Sequence, residues 1–274
     1  MPSLTLMTGS APYLCSVLRR AGLAVSLVLA GMTVASAQVQ QQTAAPPLSS
    51  PVVLELFTSQ GCNSCPPADA LMQDWLKQPN VIPISLHVDY WDYLGWKDTL
   101  SKKGHGVRQQ DYARNSGKRE VYTPQVVVNG KFMVVGSDRK AVEKALEKAR
   151  RMQSVVIEAE RNKTTGNWQI KVPAMTGFEG EAKLVLCRYD TRHEVAIERG
   201  ENSGKTLNYL NVARSWGDLG RWKGQSASYD VPDLTGTDWG HQGAMVMLQI
   251  VTSEGVGPVL GAIDIKGGDI KGGK

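Results

Sequence analysis

Val52-Val53-Leu54-Glu55-Leu56-Phe57-Thr58-Ser59-Gln60-Gly61-Cys62-Asn63-Ser64-Cys65-Pro66-Pro67-Ala68-Asp69 is the stretch on which the fold turns. It opens with an apolar, partly β-branched run, Val52 to Phe57, of the kind that suits a central strand covered on both faces. Thr58-Ser59-Gln60-Gly61 ends that run, and a C-x-x-C pair follows at once. Beyond it Ala68, Leu71, Met72 and Trp75 recur at helical spacing up to Lys77, and Pro79-Asn80 stops the helix. Val81 to Asp89 reads as the next strand. Strand, helix and strand in so short a span make a βαβ unit with parallel strands.

Further along, residues 92–120 are polar and rich in aromatics, lysine and glycine, and read as a mostly helical insertion. Thr123-Pro124 leads into the strand Gln125 to Val128. Asn129-Gly130 suits a two-residue hairpin turn, and Lys131 to Val135 is the returning strand. Ser137 can cap a helix whose apolar face is Ala141, Val142, Ala145, Leu146 and Ala149. Residues 51–152 are thus expected to run β-α-β-insertion-β-β-α. After Gln153 the pattern changes to strand-like runs, 155–160, 168–172, 182–187 and 244–251, separated by turn residues. Residues 153–266 are therefore expected to be a second, smaller all-β domain of sandwich type. The Gly-rich end, 267–274, reads as a loose tail.

The chain's first 37 residues differ from the rest. Arg19-Arg20 precede an apolar run from Ala21 to Ala35, and Ala35-Ser36-Ala37 offers a cleavage site before Gln38. Basic region, short apolar core and small-residue site together predict a secretory signal peptide over 1–37 and a periplasmic or secreted protein. Residues 38–50, rich in Gln, Ala, Pro and Ser, read as a flexible linker. No later run is long and apolar enough for a helical span, so no stable membrane anchor is expected after cleavage. Removing 1–37 takes two arginines and no acid, lowering the formal charge from +5 to +3. So mild a balance gives no reason to expect a nucleic-acid partner. It also removes Cys15, leaving Cys62, Cys65 and Cys187. In an oxidising compartment Cys62 and Cys65 can pair, with Cys187 odd and read as a buried inert thiol.

A C-x-x-C between a strand and a helix within a βαβ unit reads as a thioredoxin-like redox motif. Unpaired N–H groups and the dipole at a helix start favour a thiolate, the attacking species in disulfide exchange. Cys62 is expected to be the exposed nucleophile and Cys65, facing inward, the resolving thiol. Pro66 and Pro67 lack the N–H that interior positions donate, so both belong to the first turn. A purely structural bridge is the bland alternative. Closing so short a loop removes only about 2 kcal/mol of unfolded-state entropy, against about 4.7 for a hundred-residue loop, so the pair is a poor staple. Thr123-Pro124 is expected to be cis and to lie opposite the cysteines, where the backbone of Thr123 could hold an extended substrate.

Leu56 to Asp69, His87-Val88-Asp89-Tyr90-Trp91-Asp92-Tyr93-Leu94-Gly95-Trp96-Lys97-Asp98 and Tyr122-Thr123-Pro124-Gln125 resemble a bacterial family of exported thioredoxin-like proteins, domain of unknown function 1223. The resemblance covers most of the chain after residue 37. It implies a thioredoxin-like fold and no particular substrate. Against thioredoxins proper, this sequence has Asn63-Ser64 between the cysteines, two prolines after them, and the aromatic segment after the second strand.

His87, Asp89 and Trp91 alternate and would share one strand face. Asp89 or His87 could then relay a proton for Cys65; alternatively the two satisfy each other and nearby backbone. Trp91, Tyr93 and Trp96, with Tyr90, could line a substrate groove or simply be core. Cofactors are expected to be none. The alternative is copper held by Cys62, Cys65 and His87, a soft set suited to Cu(I). His105, His193 and His241 read as isolated loop residues without a site. The reading is an exported thiol–disulfide oxidoreductase acting on exported protein thiols or disulfides, with a non-catalytic binding protein or copper carrier as the alternative.

Overall fold

The computed structural model describes residues 49–232 and 243–266. The expected signal peptide, nearly all of the expected linker, the tail and His241 lie outside the described residues.

Strand β1 (Val52–Thr58) is buried along its whole length, as its apolar run requires. It pairs in parallel with β2 (Val81–His87) through helix α1 (Pro66–Lys77), which supplies the expected βαβ unit. On its other side β1 pairs antiparallel with β3 (Gln125–Val128), which turns into β4 (Phe132–Val135) at Asn129-Gly130. Both turn residues have positive φ, 46° and 63°, as a two-residue hairpin of this twist demands. Between β2 and β3 the chain makes a 3-10 turn (Asp92–Leu94) and helix α2 (Lys103–Asn115). Helix α3 (Arg139–Arg150) follows β4; its cap is Asp138, accepting from the Ala141 N–H, not Ser137. α1 and α3 cover one face of these strands, with Trp75, Met72, Val142 and Leu146 packed on Leu54, Leu56 and Val126.

Most strands of the second half join the sheet of the first half. The second half gives β5 (Glu158–Arg161), β6 (Trp168–Val172), β7 (Ala182–Ala196), β8 (Thr206–Trp222), β9 (Ala227–Val231), β10 (Gly243–Thr252) and β11 (Gly255–Lys266). One eight-stranded sheet runs β11-β10-β7-β8-β2-β1-β3-β4, joined where Val212 of β8 meets Ser85 of β2. Met245, Met247 and Val259 share a core with Val53, Phe57 and Ile84. The Val259 N–H also donates to the Asn129 carbonyl, which brings β11 back to the β3–β4 turn. Only β5, β6 and β9, among the described strands, form a separate, three-stranded antiparallel sheet. It packs through Trp168, Ile170 and Val231 onto Leu184, Val246 and Leu248, so the sandwich contact exists but one of its layers is the main sheet.

Strands β7 and β8 are much longer than apolar runs suggest. Among the described residues β10 runs beside β7 up to Tyr189, and β7 and β8 stay paired out to Ala196 and Thr206. Residues 190–212, the outer part of this β7–β8 hairpin, form an arm whose tip reaches the loop before α1.

Candidate functional site

The site is built where β1 hands over to α1. Two tight turns carry the chain, with the Cys62 N–H donating to the Ser59 carbonyl at 3.2 Å and the Cys65 N–H to the Cys62 carbonyl at 3.3 Å. Cys65 caps α1 in a helical conformation, and Pro66 and Pro67 take the first two positions, where no intrahelical donor is needed. The prolines have a second effect. They remove two N–H groups from the helix start.

Cys62 and Cys65 are joined as a disulfide with a Cα separation of 5.4 Å. The Ser64 hydroxyl lies 3.4 Å from the Cys62 sulfur and donates to it. Cys62 is only 2 % exposed, so the expectation of an open outer cysteine is corrected. Two neighbours close the turn. Trp91 packs so near Gly61 that a Cβ there would stand 3.2 Å from the Trp91 Cβ. From the other side Asn202, at the tip of the β7–β8 arm and itself fully buried, donates its Nδ2 to the carbonyls of Gln60 and Cys62, each at 2.9 Å.

Beneath the turn lies a chain of buried polar groups. Asp98 accepts from the Gln60 N–H, from His87 Nδ1 and from the Leu100 N–H, each at 2.8 Å. Burial pushes its carboxyl up, but His87 and these donors outweigh that and hold it below the usual range. Trp96 Nε1 donates to Gln60 Oε1 at 2.8 Å. His105, also buried, donates from Nδ1 to the His87 carbonyl, and burial lowers its imidazole to about 4.

Asp69 is the group that stands apart. It sits on the first turn of α1, its N–H bonded to the Cys65 carbonyl at 3.1 Å, and so shares the helix face of Cys65. It is 6 % exposed, and neither carboxyl oxygen has a hydrogen-bond partner. Thr58 Oγ1 stands beside it without meeting hydrogen-bond geometry. Burial raises this carboxyl to about 7, Asp98 adds to the rise, and His87 and Thr58 oppose it. Tyr209 faces the same cluster, its ring edge-on to His87 at 4.4 Å. A cleft of about 240 Å3 between α1 and β8 is lined by Asp69, Gln73, Thr206 and Asn208 among others.

The Thr123–Pro124 peptide is cis. Gly136 marks its neighbourhood, since a Cβ there would lie 3.2 Å from the Ala68 Cβ and 3.3 Å from the Pro124 Cβ. Gly136 therefore sits between the cis proline and the first turn of α1. Trp91 ties the two halves of the site together, contacting Gly61 as above and donating from Nε1 to Thr123 Oγ1 at 2.7 Å. Tyr93 stacks on Trp91 at 6.3 Å and is 76 % exposed, the most open large apolar side chain among those described.

Scanned against family models, the chain matches the one described as protein of unknown function (DUF1223) over residues 53–249. The chain belongs to this family. Among solved structures, the crystal structure of protein AGR_C_4864 from Agrobacterium tumefaciens is similar at 30 % identity, covering 81 % of this chain and 96 % of that one, with a TM-score of 0.70. HBP35 of Porphyromonas gingivalis is similar in fold at 10 % identity, covering 80 % and 76 %, with a TM-score of 0.53. No curated protein matches.

In this DUF1223 chain most of the expected site residues meet, though not in the expected way. β2 ends at His87, so Asp89 and Trp91 do not extend its face. His87 is paired with Asp98 and not with Asp89, whose carbonyl instead accepts from the Asp92 N–H in the turn beyond the strand. Of the alternative copper set, both cysteines are oxidised here. The two sulfurs are bonded to each other, His87 gives Nδ1 to Asp98, and no three His, Cys, Asp or Glu side chains converge as metal ligands among the described residues. His105 is no loop residue but a buried one on α2, and His193 pairs with Asp190 at 2.6 Å. Cys187 is fully buried, and burial raises its thiol far above the usual range. Sequence reasoning misses Asp69 and Asn202 as functional residues. For Asp69 a signal exists, an acid on the cysteine face one turn into the helix; Asn202 lies 140 residues from Cys62 and carries none.

Proposed function

We propose that this is an exported thiol–disulfide oxidoreductase working on a thioredoxin-like frame through Cys62 and Cys65. The observation that carries the reading is the buried Asp69 carboxyl, unpartnered and raised to about 7 on the Cys65 face of the helix. A bridge that only stapled the fold has no use for such a group. An exchange enzyme does, because the inner sulfur must gain and lose a proton in every cycle.

A substrate thiolate attacks the Cys62 sulfur, the bond to Cys65 breaks, and the Cys65 thiolate takes a proton from the Asp69 carboxyl. The product is a mixed disulfide between substrate and Cys62. In the reverse sense Asp69 carboxylate accepts the Cys65 proton, and the thiolate attacks Cys62 and expels the substrate thiolate. Ser64 stabilises charge on Cys62 by its hydroxyl, and Thr123 with cis-Pro124 offers an extended substrate a backbone rail on the far side of Trp91. His87 positions Asp98, which holds the Gln60 N–H and so the shape of the cysteine turn. Trp91, Tyr93 and Trp96 form the aromatic rim. Export rests on the 1–37 segment and agrees with the presence of the bridge.

The test is the reduction potential of the pair in a glutathione buffer, together with a Cys65→Ser trap in extract of the exported compartment. A potential above about −250 mV with trapped partners is expected. A potential below about −300 mV with nothing trapped makes the bridge structural and overturns the reading.

A further inference from the structure

The arm formed by residues 190–212 presents a compact tip to the cysteine turn. Within the tip, the Ile197 N–H donates to the Lys205 carbonyl and the Gly204 N–H to the Ile197 carbonyl, while the Ser203 hydroxyl donates to the carbonyl of Glu198. Gly200 has φ +78° and rests on the aromatic rim, where a Cβ would lie 3.2 Å from that of Trp96. Lys205 Nζ donates to Asn202 Oδ1 at 2.9 Å, which fixes the carboxamide with its Nδ2 toward the carbonyls of Gln60 and Cys62. The bonds these carbonyls receive from Nδ2 are of the kind a peptide backbone N–H gives.

We propose that the tip occupies the seat of the substrate: Asn202 stands in for a backbone amide of an extended cysteine-containing polypeptide, and the tip must lift for such a chain to reach Cys62. The proposal rests on the exchange reading and names how its substrate is admitted. Three observations converge on it. Cys62 is closed in the very state in which it must be attacked. The cover is hydrogen-bonded to the carbonyl of the attacked cysteine itself and not merely packed near it. The tip that delivers it, residues 197–205, is held together by its own hydrogen bonds and so can leave the turn as a unit. The arm's lower part is anchored to β2, with Asn211 Nδ2 on the Pro83 carbonyl and Ser85 Oγ on the Leu210 carbonyl. The moving part is therefore the tip, residues 197–205, beyond the last β7–β8 pair at Ala196 and Thr206.

The experiment uses the chain with Cys65→Ser, in which Cys62 is a lone thiol, and follows its alkylation by iodoacetamide. Adding Asn202→Ala is expected to raise the rate roughly tenfold through loss of the two bonds; an unchanged rate overturns the proposal. Lys205→Met, which leaves Asn202 in place but frees its carboxamide, is expected to raise the rate about threefold and serves if Asn202→Ala does not fold. Independently, Cys62 joined by a disulfide to a short peptide of alanine, glycine and one cysteine is followed by hydrogen exchange. Faster exchange at residues 198–205 than in the unjoined protein is expected, and equal exchange overturns the proposal. Neither readout depends on a redox partner. Failure of the trap with success here removes the oxidoreductase and keeps the cover; the opposite pair of results keeps the enzyme and removes the cover.

Discussion

Asp69 lies one helical turn beyond Cys65, its N–H on the Cys65 carbonyl at 3.1 Å, so that a buried acid and the inner sulfur of the bridge share one face of α1. The acid has no hydrogen-bond partner, while Asp98, in the same buried cluster, has three donors. Burial acts on both, and the donors decide the outcome: Asp98 is held ionised and structural, Asp69 is left near neutrality and able to exchange its proton.

Asp69 should leave its mark on stability. Its carboxyl rises from 3.8 to about 7 on folding, so between those values the folded chain binds a proton that the unfolded chain does not. Stability from this group is complete below about pH 4, falls as pH rises toward 7, and is flat above. The fall is on the order of 4 kcal/mol. An amide in place of the acid cannot titrate, so Asp69→Asn is expected to match the parent near pH 4 and to exceed it by a few kcal/mol at pH 8. Urea unfolding at pH 4, 6 and 8 measures the difference; parallel curves for the two proteins would remove the raised acid from the account.

The same substitution should injure turnover while it helps folding. With no carboxylate to accept the Cys65 proton, release of a mixed disulfide from Cys62 is expected to slow by about 100-fold. The pH profile of that step should lose its inflection near 7. Stopped-flow release of a fluorescent peptide thiol from Cys62 follows this directly. A rate that drops uniformly at all pH values, with the inflection kept, would mean that Asp69 only shapes the helix start.

How much of this could be read from residues alone varies with the physics involved. The βαβ unit, the Asn129-Gly130 hairpin and α3 were legible because each is specified by local apolar spacing or by one turn. β8 and β11 were not. β8 carries Asn208, Asn211, Ser215 and two glycines because it is partly arm and partly half-buried sheet, and so has no apolar run to betray it. β11 needs glycine for steric reasons, since a Cβ on Gly261 would come 2.4 Å from the Val155 carbonyl, and that erases its strand signature. The pairing around Ser85 and Val212 that merges the sheets is a long-range event with no local code. In the site, the cysteines, cis-Pro124 and Trp91 were legible from sequence; the partners of His87 and the cover from Asn202 depend on chain segments brought together only by the fold.

A second buried charge, away from the cysteines, is expected to be purely structural. Arg108 of α2 donates from Nε to Glu55 of β1 at 2.6 Å and lies between the rings of Trp216 and Tyr112, at 4.5 and 5.1 Å. Tyr112 also donates to Glu55, and Gln249 donates to the Tyr112 hydroxyl. Arg108→Met strands the Glu55 carboxylate inside the core and is expected to remove about 3–5 kcal/mol of stability. The double variant Arg108→Met/Glu55→Gln should recover most of that loss. Chemical denaturation measures both, and the reduction potential of Cys62–Cys65 is expected to stay within about 10 mV of the parent.

Gly130 offers the sharpest test of how β11 is seated. Its φ of +63° already disfavours any side chain, and a Cβ would fall 2.4 Å from the Gly257 carbonyl, a backbone atom with nowhere to go. Gly117 has nearly the same φ, +68°, with nothing within 4 Å of its Cβ position. Gly117→Ala therefore isolates the backbone strain and is expected to destabilise by about 1 kcal/mol. Gly130→Ala adds the collision and should lose about 3 kcal/mol or more, because either the hairpin or the return of β11 must shift. Hydrogen exchange separates these routes. If β11 yields, the Val259 amide, which bonds to the Asn129 carbonyl, loses protection while the β3–β4 ladder keeps it. Equal losses for the two alanine variants would show that the sheet's last strand does not press on this turn.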